Sequence, residues 1–137
     1  SNDGLIRTFE GPNSKVYNNT VISNSSMGYC VANRFSTSTG VVIRNNLCDK
    51  AINSTDLGAS ATVSNNVTSA TSGMFVAFVD ANLHLVSGAS GAIDQGFNLL
   101  ADVPDDFDKA SRSAPLDIGA YLFGLLPGPA NFRRVPQ

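Results

Sequence analysis

The chain has 137 residues, with 9 Lys and Arg against 11 Asp and Glu and a formal net charge of −2. That balance leaves no electrostatic footprint for nucleic acid, and no apolar run approaches the roughly 20 residues that cross a bilayer as a helix, so neither nucleic acid nor membrane is expected as a partner. Apolar residues make up 42% and charged residues only 15%, so a real core must be covered by Ser, Thr, Asn and Gly, a mixture that disfavours helices and suits short strands joined by tight turns.

The first predicted strand begins at Gly4 with "GLIR". The second lies in "SKVYNNTVI" (Ser14 to Ile22), where an aliphatic residue, an outward residue and an Asn pair follow one another. The same frame returns in "GVVIRNNLC" (Gly40 to Cys48) and in "ATVSNNVTS" (Ala61 to Ser69). In register, Val16, Ile43 and Val63 form one column, Asn18, Asn45 and Asn65 another, and Asn19, Asn46 and Asn66 a third. The steps from Asn18 to Asn45 and from Asn45 to Asn65 are 27 and 20 residues, a mean of 23.5. A second series, "GLIR" at Gly4, "GYCVA" at Gly28 and "GMFVA" at Gly73, gives a first step of 24 and then 45, or two steps of 22.5.

A period near 23 made of strands and turns, without the leucine-rich frame and without long amphipathic helices, predicts an all-β solenoid, a parallel β-helix of about three to four coils. Successive coils lie about 4.8 Å apart, so equivalent residues stack. The aliphatic column is expected inside. The Asn pair is expected at one corner, because Asn tolerates the left-handed backbone and stacked amides hydrogen-bond along the column. By alternation Tyr17, Arg44 and Ser64 point outward, with Lys15, Val42 and Thr62 as the next outward column. The sequons at Asn18, Asn24, Asn53 and Asn66 are read as incidental to a chain so rich in Asn, Ser and Thr. Cys30 and Cys48 are too few for a disulfide scaffold or a zinc site; two buried thiols are the preferred reading, with a single disulfide as the alternative.

After about residue 80 the frame is lost. Leu85 with Ser90-Gly91-Ala92-Ile93-Asp94-Gln95-Gly96, then Asp106-Phe107-Asp108-Lys109-Ala110-Ser111-Arg112, then Asp117-Ile118-Gly119-Ala120-Tyr121, form three ordered elements. Together with the repeats they resemble the carboxy-terminal end of bacterial right-handed parallel β-helix proteins of the pectate-lyase-like kind, over roughly Ser14 to Phe123. Gly91, Lys109 and Leu122 depart from the residues usual there, which are Pro, Gly and Glu. The resemblance implies right-handed coils over 1–80, a carboxy-terminal cap over 81–123, and a Pro-rich tail or linker over 124–137. It implies a secreted or cell-surface protein that binds or cleaves polysaccharide, and if an enzyme, a lyase or glycoside hydrolase. The cap has its own physical reason, since an open solenoid end exposes strand edges and an apolar column. Ile93, Ile118, Tyr121 and Phe123 are expected to cover the last coil. Asp94 and Asp117 are expected to accept turn amides, and Arg112 to pair with one of them.

Candidate chemistry is sparse. Lys15, Tyr17 and Arg44 share one outward patch and have the residue types that a lyase uses, a cation to neutralise a uronate carboxylate and a base to take the proton; ordinary surface residues are the competing reading. Asp102, Asp105, Asp106 and Asp108 invite calcium, the one cofactor considered, although their spacing lacks a D-x-D-x-D-G frame and a solvated loop is preferred. His84, the single histidine, lies between Leu83 and Leu85 with no acidic neighbour in sequence and reads as part of the cap. The alternative function is a non-catalytic module assembling through its amino-terminal coil, as a homodimer or by continuing into further coils upstream.

Overall fold

The computed structural model describes residues 1–23 and 25–124; Asn24 of the second sequon and the predicted tail from residue 125 onward lie outside them. The fold is all-β. Ten short strands run β1 (Gly4–Phe9), β2 (Lys15–Tyr17), β3 (Thr20–Val21), β4 (Tyr29–Arg34), β5 (Val41–Arg44), β6 (Leu47–Cys48), β7 (Ile52–Asp56), β8 (Ala61–Ser64), β9 (Phe75–Ala77) and β10 (Asn82–Leu85), with two 3-10 turns at Ser72–Met74 and Phe78–Asp80. None of the helices described is long and apolar enough to cross a membrane.

The first eight strands form three short parallel sheets in the orders β1-β4-β7, β2-β5-β8 and β3-β6. Each sheet takes one strand from each passage of the chain, so the strands fall into three layers: β1-β2-β3, β4-β5-β6, and β7-β8 with Val67, which bridges Leu47. Val16, Ile43 and Val63 are in register, as are Tyr17, Arg44 and Ser64, and Lys15, Val42 and Thr62. Period-2 alternation explains β5: Val41 and Ile43 are fully buried, Val42 and Arg44 half-buried. The core between the sheets is built from Val16, Cys30, Val31, Val41, Ile43 and Cys48, with Ile6, Val21, Ile52 and Ala61 against it.

The Asn pairs behave as two separate devices. Asn18, Asn45 and Asn65 take φ of +51°, +61° and +57°, the left-handed turn that Asn accepts at low cost. Asn19, Asn46 and Asn66 form an amide ladder. The Asn19 N–H and Nδ2 donate to Asn46 Oδ1 at 3.1 and 2.9 Å, and the Asn46 N–H and Nδ2 donate to Asn66 Oδ1, both at 2.9 Å.

Several expectations need correction. Cys30 and Cys48 are joined in a disulfide, with Cα atoms 6.1 Å apart and no free cysteine among the described residues. Both are fully buried, on β4 and β6 of the same layer, so the bond closes that layer across its interior. A loop of 18 residues is worth about 3 kcal/mol in lost unfolded-state entropy. Sequence spacing could not show this, because the two residues meet only once the layer has turned. Val63 is not interior: it is 41% exposed, against 6% for Val16 and none for Ile43, although Val16 and Val63 both lie on edge strands of the sheet. The glycine series is only partly structural. Gly4 pairs with Tyr29 rather than Gly28, the third strand of that sheet starts at Ile52, and Gly73 lies in a 3-10 turn.

A buried polar knot that the repeats did not announce ties the first sheet to the turns that lead into the second. Thr8 Oγ1 and Ser38 Oγ both donate to Asn33 Oδ1, at 2.9 and 2.6 Å, and Asn33 Nδ2 donates to the carbonyls of Ser38, Ser54 and Ser60.

From Ala70 onward the chain lies alongside the layers. β9 and β10 pair antiparallel. Phe75, Leu85, Ala89, Ala92 and Ile118 build a second core on Leu47, with Ile22, Val67, Ile93 and Phe123 packed against it. The segment is also bonded to the Asn corner. Asn45 Nδ2 donates to Phe97 O at 2.8 Å, the Phe97 N–H returns to Asn45 Oδ1 at 2.8 Å, and the Gly119 N–H donates to Asn45 O at 2.8 Å. Asn18 Nδ2 donates to the carbonyls of Asp117 and Gly119, and Asn65 Nδ2 to that of Gln95. The terminal elements thus read one corner of all three layers.

Candidate functional site

The register sets Tyr17 beside Arg44, with Lys15 two residues earlier on the same face. The patch exists, but its cations are engaged. Arg44 Nε donates to Ser64 Oγ at 3.0 Å, and its guanidinium lies 3.8 Å from the Phe97 ring centroid, a cation–π contact. Lys15 Nζ is 3.5 Å from Asp102 Oδ2. Sequence could not foresee either partner, since Phe97 and Asp102 come from the terminal segment.

The four aspartates are separated into different tasks. Asp102 meets Lys15. Asp106 is buried and accepts N–H groups from Asp108 and Ala110 on Oδ1 and from Leu122 on Oδ2, all within 2.9 Å. Asp108 meets His84 Nε2, so the histidine has an acidic partner 24 residues away in the chain. Asp105 remains exposed. No group of three or more His, Cys, Asp or Glu converges on one point among the described residues. Asp117 accepts amides as expected, from Asp94 at 2.8 Å and Phe123 at 2.6 Å, whereas Asp94 contributes its N–H rather than its carboxylate. Arg112 is bonded to the carbonyls of Asp105, Gly119 and Ala120 rather than to a carboxylate. Burial pulls its pKa below the ordinary arginine value, against the opposing pull of Asp106, Asp117 and Asp105.

These pieces surround a cleft of about 420 Å³ between the first-layer corner and the terminal segment. One wall is Asn18, Asn19 and Thr20, and the other includes Asp105, Asp106, Phe107, Arg112 and Tyr121. Phe107 is 72% exposed, one of several large apolar side chains that face solvent, with Leu57 and Val79 among them. It stands edge-on to Tyr121, centroids 5.5 Å apart, and Tyr121 packs at 4.0 Å on the His84 ring. His84 is held further by Asn82 Oδ1, 2.5 Å from Nδ1. Burial, with Asp108 and Asp106 nearby, raises the Tyr121 pKa above its ordinary value, so the hydroxyl keeps its proton and its capacity to donate. In sequence the residues of this cleft read as an acidic loop (Asp105, Asp106) and as cap residues (Arg112, Tyr121), with Phe107 legible only as part of the element Asp106 to Arg112. Comparison with protein-family models, with curated proteins and with solved structures finds no match.

Proposed function

We propose that this chain belongs to a secreted, right-handed parallel β-helix protein of the pectate-lyase-like kind and binds polysaccharide, with the Phe107–Tyr121 cleft as the sugar site. The observation that carries the reading is the exposed Phe107 ring on a cleft whose lining joins the apolar Leu83, Val103 and Tyr121 with amide, hydroxyl, carboxylate and guanidinium groups. A pyranose presents an apolar face to an aromatic ring and hydroxyls to such polar partners, the mix of apolar surface and few placed polar groups that small-molecule sites use. Asp105 and Asp106 outnumber Arg112 in the cleft and disfavour a polyanion there, and the Lys15, Tyr17 and Arg44 patch has its cations already paired. The favoured ligand is therefore a neutral glycan rather than a uronate. The three layers with one strand per sheet support the β-helix reading, and the buried disulfide supports an oxidising, extracytoplasmic setting.

Titration with neutral oligosaccharides (cello-, xylo- and manno-oligomers) and with uronate oligomers, followed by calorimetry, tests this. Binding of a neutral oligomer is expected, and Phe107→Ala should abolish it without moving Tm, since the ring is mostly in solvent. Binding of uronates alone, lost in Arg44→Ala but kept in Phe107→Ala, would return the site to the outward patch.

A further inference from the structure

We propose that the third layer is a docking surface for the first layer of a second copy of this chain, stacked head to tail. Among the described residues, β7 and β8 pair on one side only, and so do β1 and β2. All these pairings are parallel, so a second copy's β1 and β2 arrive on β7 and β8 in the direction that the layers already use.

The amide ladder selects the occupant. Each Asn side chain donates to the carbonyl two residues back, as Asn19 does to Tyr17, Asn46 to Arg44 and Asn66 to Ser64. The N–H and Nδ2 of Asn19 and of Asn46 also donate forward, to the Oδ1 of the next layer. Asn66 has no forward acceptor among the described residues, and Asn19 Oδ1 has no donor. Asn66 Nδ2 is shared between the carbonyls of Ile43 and Ser64, so the free donor on the third layer is the Asn66 N–H, and the two ends are complementary, with that donor on the third layer and an acceptor on the first. Continuing the register sets Ile6 of the second copy after Ile52, Lys15 after Thr62, Val16 after Val63 and Tyr17 after Ser64. No like charges meet at these positions, and the 41% exposed Val63 is covered. Such a contact joins two different surfaces, so it propagates as a linear series instead of closing as a two-fold dimer.

The test uses cysteine pairing. Residues 15 and 62 are two layers apart within one copy, about 9.6 Å at the usual strand spacing, too far for a disulfide. Between stacked copies they are neighbours. Oxidised Lys15→Cys/Thr62→Cys protein should give a ladder of covalent multimers on a non-reducing gel, each single variant should give none beyond a dimer, and adding Val63→Lys should remove the ladder. In sedimentation the unmodified chain should gain mass with concentration. Asn66→Asp keeps the Oδ1 that Asn46 uses but loses the Nδ2 that also serves the carbonyls of Ile43 and Ser64, so it should lower Tm and weaken association at least tenfold, whereas Val63→Lys should weaken association with Tm little changed. A unmodified chain that stays monomeric at every concentration, or a ladder that survives Val63→Lys, overturns the proposal. So does efficient dimer formation by Lys15→Cys alone, which would indicate a two-fold contact between first layers.

Discussion

The layered region, residues 4–67, and the terminal segment, residues 70–123, satisfy their backbones by opposite means. In the layers, equivalent residues repeat one contact: aliphatic on aliphatic, amide on amide, left-handed Asn over left-handed Asn. In the terminal segment each polar group has a task of its own. Asp106 holds two amides of its own turn and that of Leu122, Asp117 spans Asp94 and Phe123, and Arg112 gathers three carbonyls. Periodic structure spreads its stability over many similar bonds. The aperiodic segment concentrates it in a few buried ionisable groups, which cannot be removed singly without stranding their partners. The cleft lies where the two meet, with amides of the corner on one side and unrepeated aromatics on the other.

The largest effect should come from breaking the periodic side at its centre. Ile43 has no exposed surface, so Ile43→Asp should cost at least about 4 kcal/mol or prevent folding, because it buries an unpaired charge. Its neighbour Arg44 is half-buried and engaged with Phe97 and Ser64, so Arg44→Asp should cost about 1 kcal/mol. Urea unfolding of both variants measures the contrast, and equal losses would refute the inside–outside alternation of β5.

An intermediate effect tests the seam between the regions. Asn45 is fully buried and exchanges two hydrogen bonds with Phe97, whereas Asn65 is exposed and makes one, to Gln95. Both have positive φ, so replacement by Gly avoids backbone strain. Asn45→Gly should cost about 2 kcal/mol, because it removes both bonds to the Phe97 backbone and leaves the buried Asn18 Oδ1 without its donor, and Asn65→Gly well under about 1 kcal/mol. Hydrogen exchange should show the terminal segment opening before the layers in the first variant. If the layers open first, the corner does not hold the segment in place.

The smallest effect belongs to the aperiodic side alone. The folded chain holds the Tyr121 proton more tightly than the unfolded chain, because burial and the carboxylates of Asp108 and Asp106 oppose the phenolate. Its contribution to stability is complete below the ordinary value of 10.0 and is lost as pH rises through the higher folded value. Thermal unfolding at increasing alkaline pH should therefore decline less steeply in Tyr121→Phe than in the unmodified chain, with little difference between them at neutral pH. Parallel declines would show that this tyrosine does not titrate differently on folding.

Much of the layered region was legible because stacking turns a three-dimensional contact into a one-dimensional pattern. Val16, Ile43 and Val63, and the two Asn columns, share a register that spacing alone reveals, because equal backbone turns bring equal residues together. What spacing does not carry is how the stack ends. Val63 matches its column in sequence, yet it is exposed while Val16, at the other end of the same column, is buried, because burial depends on what surrounds each end and not on the residue. The Cys30–Cys48 bond, the pairing of Lys15 with Asp102, the cover of Phe97 over Arg44, and the His84–Asp108–Tyr121 cluster join residues 18 to 87 positions apart with no period between them. Sequence determined the register of the layered strands and the Asn corner through local propensity and repetition. Only the tertiary structure decided which side chains meet, because the terminal segment chooses its partners by the surface against which it folds, and that surface exists only after the layers have formed.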